Sequence, residues 1–154
     1  MIIREAVRDD IDYVHSLCAA WEEEGIVHGL VTTSKSMLEA QLGPYFLVAE
    51  IDGEIAGYVT GSTHVSEGLA VIPASSTYLE IDELYVVPAQ RSQGIGRALP
   101  EAMLALAEAA GVDYQLVYSA TKNLRRVLHF YKQVGFQSWC IQLFRRNESA
   151  KGEK

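Results

Sequence analysis

Residues 80–97 read Glu-Ile-Asp-Glu-Leu-Tyr-Val-Val-Pro-Ala-Gln-Arg-Ser-Gln-Gly-Ile-Gly-Arg, and no other run limits the possible folds as much. A strand-like stretch, 77–87, stops at Pro88. A short loop follows, and a helical pattern then begins near Ile95. Leu99, Met103, Leu106 and Ala110 share one face of a helix over 95–110, which Gly111 ends. Pro100 lacks the N–H that a helix interior needs, so either the helix bends or the proline lies near enough to the first turn to be tolerated. Residues 114–119 read as the next strand. Such a strand–helix–strand unit sets two neighbouring strands parallel, joined by a right-handed crossover. The same run opens a pocket for a phosphate-bearing ligand. The first amides of a helix lack intrahelical partners, and the helix dipole puts positive charge there. Gly94 and Gly96 let a ligand oxygen approach the backbone, and Arg91 and Arg97 add charge. Each helix-end contact is worth ~0.3–1 kcal/mol when exposed and up to ~2 when partly buried, so a pyrophosphate meeting several is held firmly.

The remaining pattern supplies an antiparallel partner for this unit. Residues 45–51 and 54–63 are strands joined by Asp52-Gly53, a pair suited to the primed turns that match strand twist. Residues 1–6 form a short first strand. Asp9 or Asp10 caps a helix whose Ile11, Val14, Leu17, Cys18 and Trp21 share a face, and Gly25 stops it. Residues 34–42 are a second short helix, and 66–76 a loop of small residues. Residues 123–134 are a helix with Leu124, Val127, Leu128 and Tyr131 aligned; residues 136–144 are the final strand. Strands and helices mix without strict alternation. The expected fold is α+β, a three-layer α/β/α arrangement whose mixed, mostly antiparallel sheet is flanked by helices.

With 154 residues, 49% hydrophobic and 21% charged, the chain reads as one globular domain over 1–146 with a polar tail at 147–154. A net charge of −7 argues against non-specific nucleic-acid binding; it suits a cationic substrate and equally serves solubility. No signal pattern or membrane-length apolar run is present, so a cytoplasmic protein with no membrane partner is expected. Cys18 and Cys140 form neither a metal-ligand spacing nor a disulfide framework, and the histidines at 15, 28, 64 and 129 do not cluster as ligands.

The strand Leu84-Tyr85-Val86-Val87-Pro88 followed by Arg91-Ser92-Gln93-Gly94-Ile95-Gly96 resembles the Arg/Gln-x-x-Gly-x-Gly/Ala loop of the GNAT family of acyl-CoA-dependent N-acetyltransferases. Phe130-Tyr131 and Gly135-Phe136 are similar to that family's second motif. The resemblance implies acetyl-CoA as acyl donor, a primary-amine acceptor and direct attack without an enzyme nucleophile. It implies that amides from Gln93 to Arg97 hold the pyrophosphate, with the pantetheine arm running along Leu84, Tyr85 and Val86 as an added strand would. It further implies a sheet splayed between this strand and 114–119, with the thioester near the middle of the sheet.

Acyl transfer to an amine needs a base for the ammonium, a donor for the oxyanion and a proton for the leaving thiolate. By the resemblance Tyr131 is the acid, against the alternative of simple packing. Glu80, Asp82 and Glu83 are candidate bases or substrate-holding charges. Alternation puts Glu80 and Asp82 on one face and Glu83 on the other, unless a bulge changes the parity. Asn123 resembles a residue touching the pantetheine, although it stands one position further from Tyr131 than the family pattern; helix capping explains it equally. Arg126 and Arg125 reach the cofactor phosphates or merely favour solvent. Trp21, His28 and Glu22 to Glu24 occupy the part of the chain that shapes the acceptor pocket in relatives, and a solvated helix end is the plainer reading of the three glutamates. Trp139 and Tyr78 line that pocket or fill the sheet. A non-catalytic acyl-CoA sensor is the competing function. Pairing of the final strand with a second copy would give a homodimer.

Overall fold

The computed structural model describes residues 1–145. Five strands, β1 (Ile2–Glu5), β2 (Phe46–Ile51), β3 (Glu54–Val65), β4 (Thr77–Val86) and β5 (Tyr114–Val117), form one sheet in sequence order. The first three pairings are antiparallel, and β4 with β5 is parallel. The expected hairpin is present: Asp52 and Gly53 both have positive φ, 52° and 84°, as a primed turn requires.

Helices cover both faces. On one lies α3 (Ile95–Ala109), whose Ile95, Leu99, Met103 and Ala107 pack on Val59, Leu79, Ile81 and Val86. On the other lie α1 (Ile11–Glu24) and α2 (Lys35–Ala40), whose Val14, Leu17, Cys18 and Leu38 pack on Phe46, Val48, Tyr58 and Tyr85. The apolar stripes read from the sequence are therefore the stripes that meet the sheet. A fourth helix, α4 (Leu124–Gln133), is capped by Asn123, and Phe136 just beyond it packs against the α3-side core.

Three local expectations are corrected. Asp10 does not cap α1 with its side chain; its carboxylate is held by Arg4 (2.7 and 2.9 Å) and by the Val7 amide (2.8 Å). Those contacts, the Arg4 hydrogen bond foremost, pull its pKa below the usual carboxylate range. Pro100 is not near the first turn: α3 runs through it, the ring is buried, and the Gly96 carbonyl forgoes its usual donor. The strand expected over 136–144 is absent. A strand exists through its ladder bonds, and the described residues after α4 make none; Ile141, Leu143 and Phe144 stay exposed. The tail expected at 147–154 lies outside the described residues.

Candidate active site

The parallel pairing of β4 with β5 ends at Ile81 opposite Val117, yet β4 continues to Val86. The strands part there, and among the described residues no strand pairs with the β5-facing edge of residues 82–86, where Arg91 Nε takes the Val86 carbonyl (2.9 Å). Asp82 is the first residue past the fork. On the other edge, Thr60 of β3 faces Glu83 while the next residue, Gly61, faces Ile81. Asp82 is thus the extra residue of a β-bulge.

The bulge overturns the expected parity. Leu79, Ile81, Leu84 and Val86 all face α3, a spacing that skips one residue between Ile81 and Leu84. Glu83 therefore lies on the α1 side together with Glu80 and Asp82, not on the opposite face. Its carboxylate accepts from Tyr58 Oη (2.6 Å), from Thr33 Oγ1 and, at 3.7 Å, from Cys18 Sγ. Burial and the neighbouring Glu83 charge drive the Tyr58 pKa upward, and burial pushes the Cys18 thiol up to about 11. Glu83 thereby ties the segment before α2 to the sheet. Asp82 is freer: it accepts one side-chain hydrogen bond, from Ser62 Oγ at 3.1 Å. The residue is exposed as a whole, but partial burial of its carboxyl, and the nearby Glu83 charge, raise its pKa, with Ser62 and His64 pulling the other way. Glu80 sits opposite Ser62 within the ladder.

At the loop, Gly94 has φ +86° and open space where a Cβ would stand, and Ser92 shares the left-handed region at +65°. Such turns point successive amides into one concavity. The Ile95 and Gly96 amides at the first turn of α3 have no helical acceptor, and among the described residues no side chain caps them. The Arg97 amide is engaged with the Gly94 carbonyl (3.1 Å), and the Arg97 side chain pairs with Glu101 (2.7 Å). Gln93 turns its amide to Gln90 (2.9 Å). Glycine-opened amides beside the edge of β4 past the fork are a donor set that fits a diphosphate and an extended amide-bearing arm.

The Arg91 side chain is engaged across to α1. It forms a two-pronged pair with Glu24 of α1 (2.9 and 2.5 Å), its Nε donates to the Val86 carbonyl (2.9 Å), and its guanidinium lies 5.5 Å from the Tyr85 ring centre. Tyr85 Oη donates to the same carboxylate at 2.8 Å. The Arg91 hydrogen bond holds the Glu24 pKa below its ordinary value. Arg91 is thus a brace between the loop and the end of α1. Glu22 is likewise engaged, with the Thr32 amide (2.8 Å) and hydroxyl, leaving Glu23 as the solvated member of the three. Trp21 leans on Tyr85, with ring centres 5.6 Å apart.

Tyr131 lies on α4 between Phe130 and Phe136, with ring centres at 4.9 and 5.5 Å, both edge-on. Burial pushes its phenol up to about 12, and among the described residues no side chain hydrogen-bonds its hydroxyl. The Asn123 side chain accepts from the Arg126 amide (3.2 Å), so it caps the helix. Arg125 and Arg126 are exposed beside an open depression of about 660 Å³ that His129 and Lys132 also border.

Sequence reasoning missed Glu24 as the partner of Arg91, Thr33 as the partner of Glu83, and the Ser62–His64 pair beside Asp82. Only the last had a local signal: residues two apart on a strand share a face.

The acetyltransferase (GNAT) family profile matches residues 4–136. A mycothiol acetyltransferase from Thermobispora bispora is 32% identical over 104 residues, covering 66% of this chain and 32% of that protein. One from Streptomyces avermitilis is 30% identical, covering 68% and 30%. The chain therefore spans about a third of the length of these curated relatives. A putative acetyltransferase from Agrobacterium tumefaciens superposes with a TM-score of 0.73 at 19% identity, over 96% of this chain and 100% of that one. An aminoglycoside acetyltransferase from an uncultured soil metagenomic sample gives 0.70 at 18%, over 96% of each. The forked sheet, the glycine-opened α3 and a profile match that takes in both motifs agree: the chain belongs to the acetyltransferase (GNAT) family.

Proposed function

We propose that the protein moves an acetyl group from acetyl-CoA to a primary amine by direct attack, in a cytosolic setting. The observation that carries this reading is the fork at Ile81, from which a strand edge runs past three carboxylates on the α1 side to Val86, beside the amides opening α3. The residues suited to the donor are the Ile95 and Gly96 amides for the diphosphate and the backbone of Leu84, Tyr85 and Val86 for the arm. Acetyl-CoA held there supplies an activated thioester.

The geometry favours Asp82 as the base among the three carboxylates. It stands at the fork, keeps a carboxylate oxygen uncommitted, and has the raised pKa of a better proton acceptor. Glu83 is committed to Tyr58, Thr33 and Cys18, and taking a proton would forfeit those bonds. Tyr131 suits the acid: a phenol raised to about 12 holds its proton at neutral pH and can donate as a thiolate forms.

The relatives' names cite different acceptors, so the test is a panel: amino sugars, aminoglycosides, polyamines and peptides with a free α-amine. Acetyl-CoA is supplied and free thiol is monitored. Thiol release that depends on one class of amine is the expected result. Binding of coenzyme A without thiol release across the panel would favour a sensor instead.

A further inference from the structure

On the α1 side of the sheet, three polar side chains from two strands form a line. Ser62 Oγ donates to Asp82 Oδ2 (3.1 Å) and lies 3.0 Å from His64 Nε2; the His64 ring stacks on Tyr78 with centres 5.2 Å apart. A serine hydroxyl has one proton. If it goes to Asp82, the contact with the imidazole requires Nε2–H to donate to Oγ. The stacked ring thus reaches the carboxylate through one hydroxyl. We propose that His64 is a positioning residue for acetyl transfer, acting through Ser62 to orient the Asp82 carboxylate and keep it ionised. This rests on the reading of Asp82 as the base.

The sign follows from the groups present. Around Asp82 stand His64 on β3, Glu80 and Glu83 on β4, and Tyr78 beneath His64; Tyr114 of β5 lies opposite Tyr78 in register. Burial and the Glu83 charge favour the protonated acid, whereas Ser62 and His64 favour the carboxylate. An imidazole N–H aimed at the shared hydroxyl, itself donating to Asp82, stabilises the charged carboxylate. A neighbouring group of positive potential at such a spacing moves a carboxyl pKa by about half a unit or more.

Two readouts test this. The first is a titration of the Asp82 carboxyl carbon by NMR, which needs no substrate. The second is the acidic limb of kcat against pH with the best amine of the panel. His64→Gln should raise both the carboxyl midpoint and the limb by about half a pH unit or more. Ser62→Ala should do the same, and Asp82→Asn should remove the limb. An Asp82 midpoint unmoved in both His64→Gln and Ser62→Ala overturns the proposal. So does a midpoint that moves while the kcat limb stays put, because the contact would then be merely structural. A wild-type chain silent toward every amine sinks the enzymatic reading and with it the role in transfer; the NMR arm still decides whether the coupling exists.

Discussion

Gly61→Val should destabilise the protein by about 2–4 kcal/mol and lower its melting midpoint by about 5–15 °C. A Cβ at Gly61 would stand 2.7 Å from the Glu80 carbonyl, 3.1 Å from Met103 Sδ and 3.2 Å from Leu79 Cδ1. The first is backbone in the neighbouring strand and cannot swing aside. Strands β3 and β4 would have to separate at the bulge that carries Asp82, so the variant should also lose turnover where it remains folded. Gly43→Ala is the control. Its added Cβ meets nothing nearer than the Gln41 carbonyl at 4.0 Å, and it should stay within about 0.5 kcal/mol. Thermal denaturation of the two variants beside the wild type is the measurement. Equal midpoints would mean that β3 and β4 are not held as closely as described.

Tyr131→Phe should lower kcat by about 10²-fold or more, the range for losing a positioned acid, and leave coenzyme A affinity within about twofold. The ring keeps its edge-on contacts with Phe130 and Phe136, so stability should change little. The phenol is raised to about 12 by burial, so its loss of a proton should not limit the rate until the pH nears that value. Steady-state kinetics with a separate binding measurement decides the role; unchanged kcat would leave Tyr131 as packing alone.

Much of the framework was legible because its signals are local. The Asp52-Gly53 pair specifies its own turn, and the α1 and α3 stripes specify which face is buried. The glycine loop before α3 needs nothing distant to place its amides at the helix start. What was not legible depends on contacts far apart in sequence. The loop motif says nothing of the Glu24 partner of Arg91, which stands 67 residues earlier. Alternation put Glu83 on the opposite face unless a bulge intervened, and whether one does depends on the pairing of β3 with β4, which no residue in 80–86 announces. Residues 136–144 read as a strand from their apolar character, but composition cannot supply the ladder partner that makes one. The consequence is chemical. The shift at Asp82 brings three carboxylates to one side of the fork, engages Glu83 with three donors, and leaves Asp82 beside Ser62 and His64.

On the proposed function, the amides that open α3 and the edge of β4 past the fork act together as a coenzyme A site. Isothermal calorimetry of the full chain with coenzyme A tests this most directly. One ligand per chain with a Kd of about 1 μM–1 mM, the usual range for such substrates, is the predicted result. A well-folded wild-type protein that registers no heat of binding at millimolar coenzyme A, across several temperatures, would contradict it.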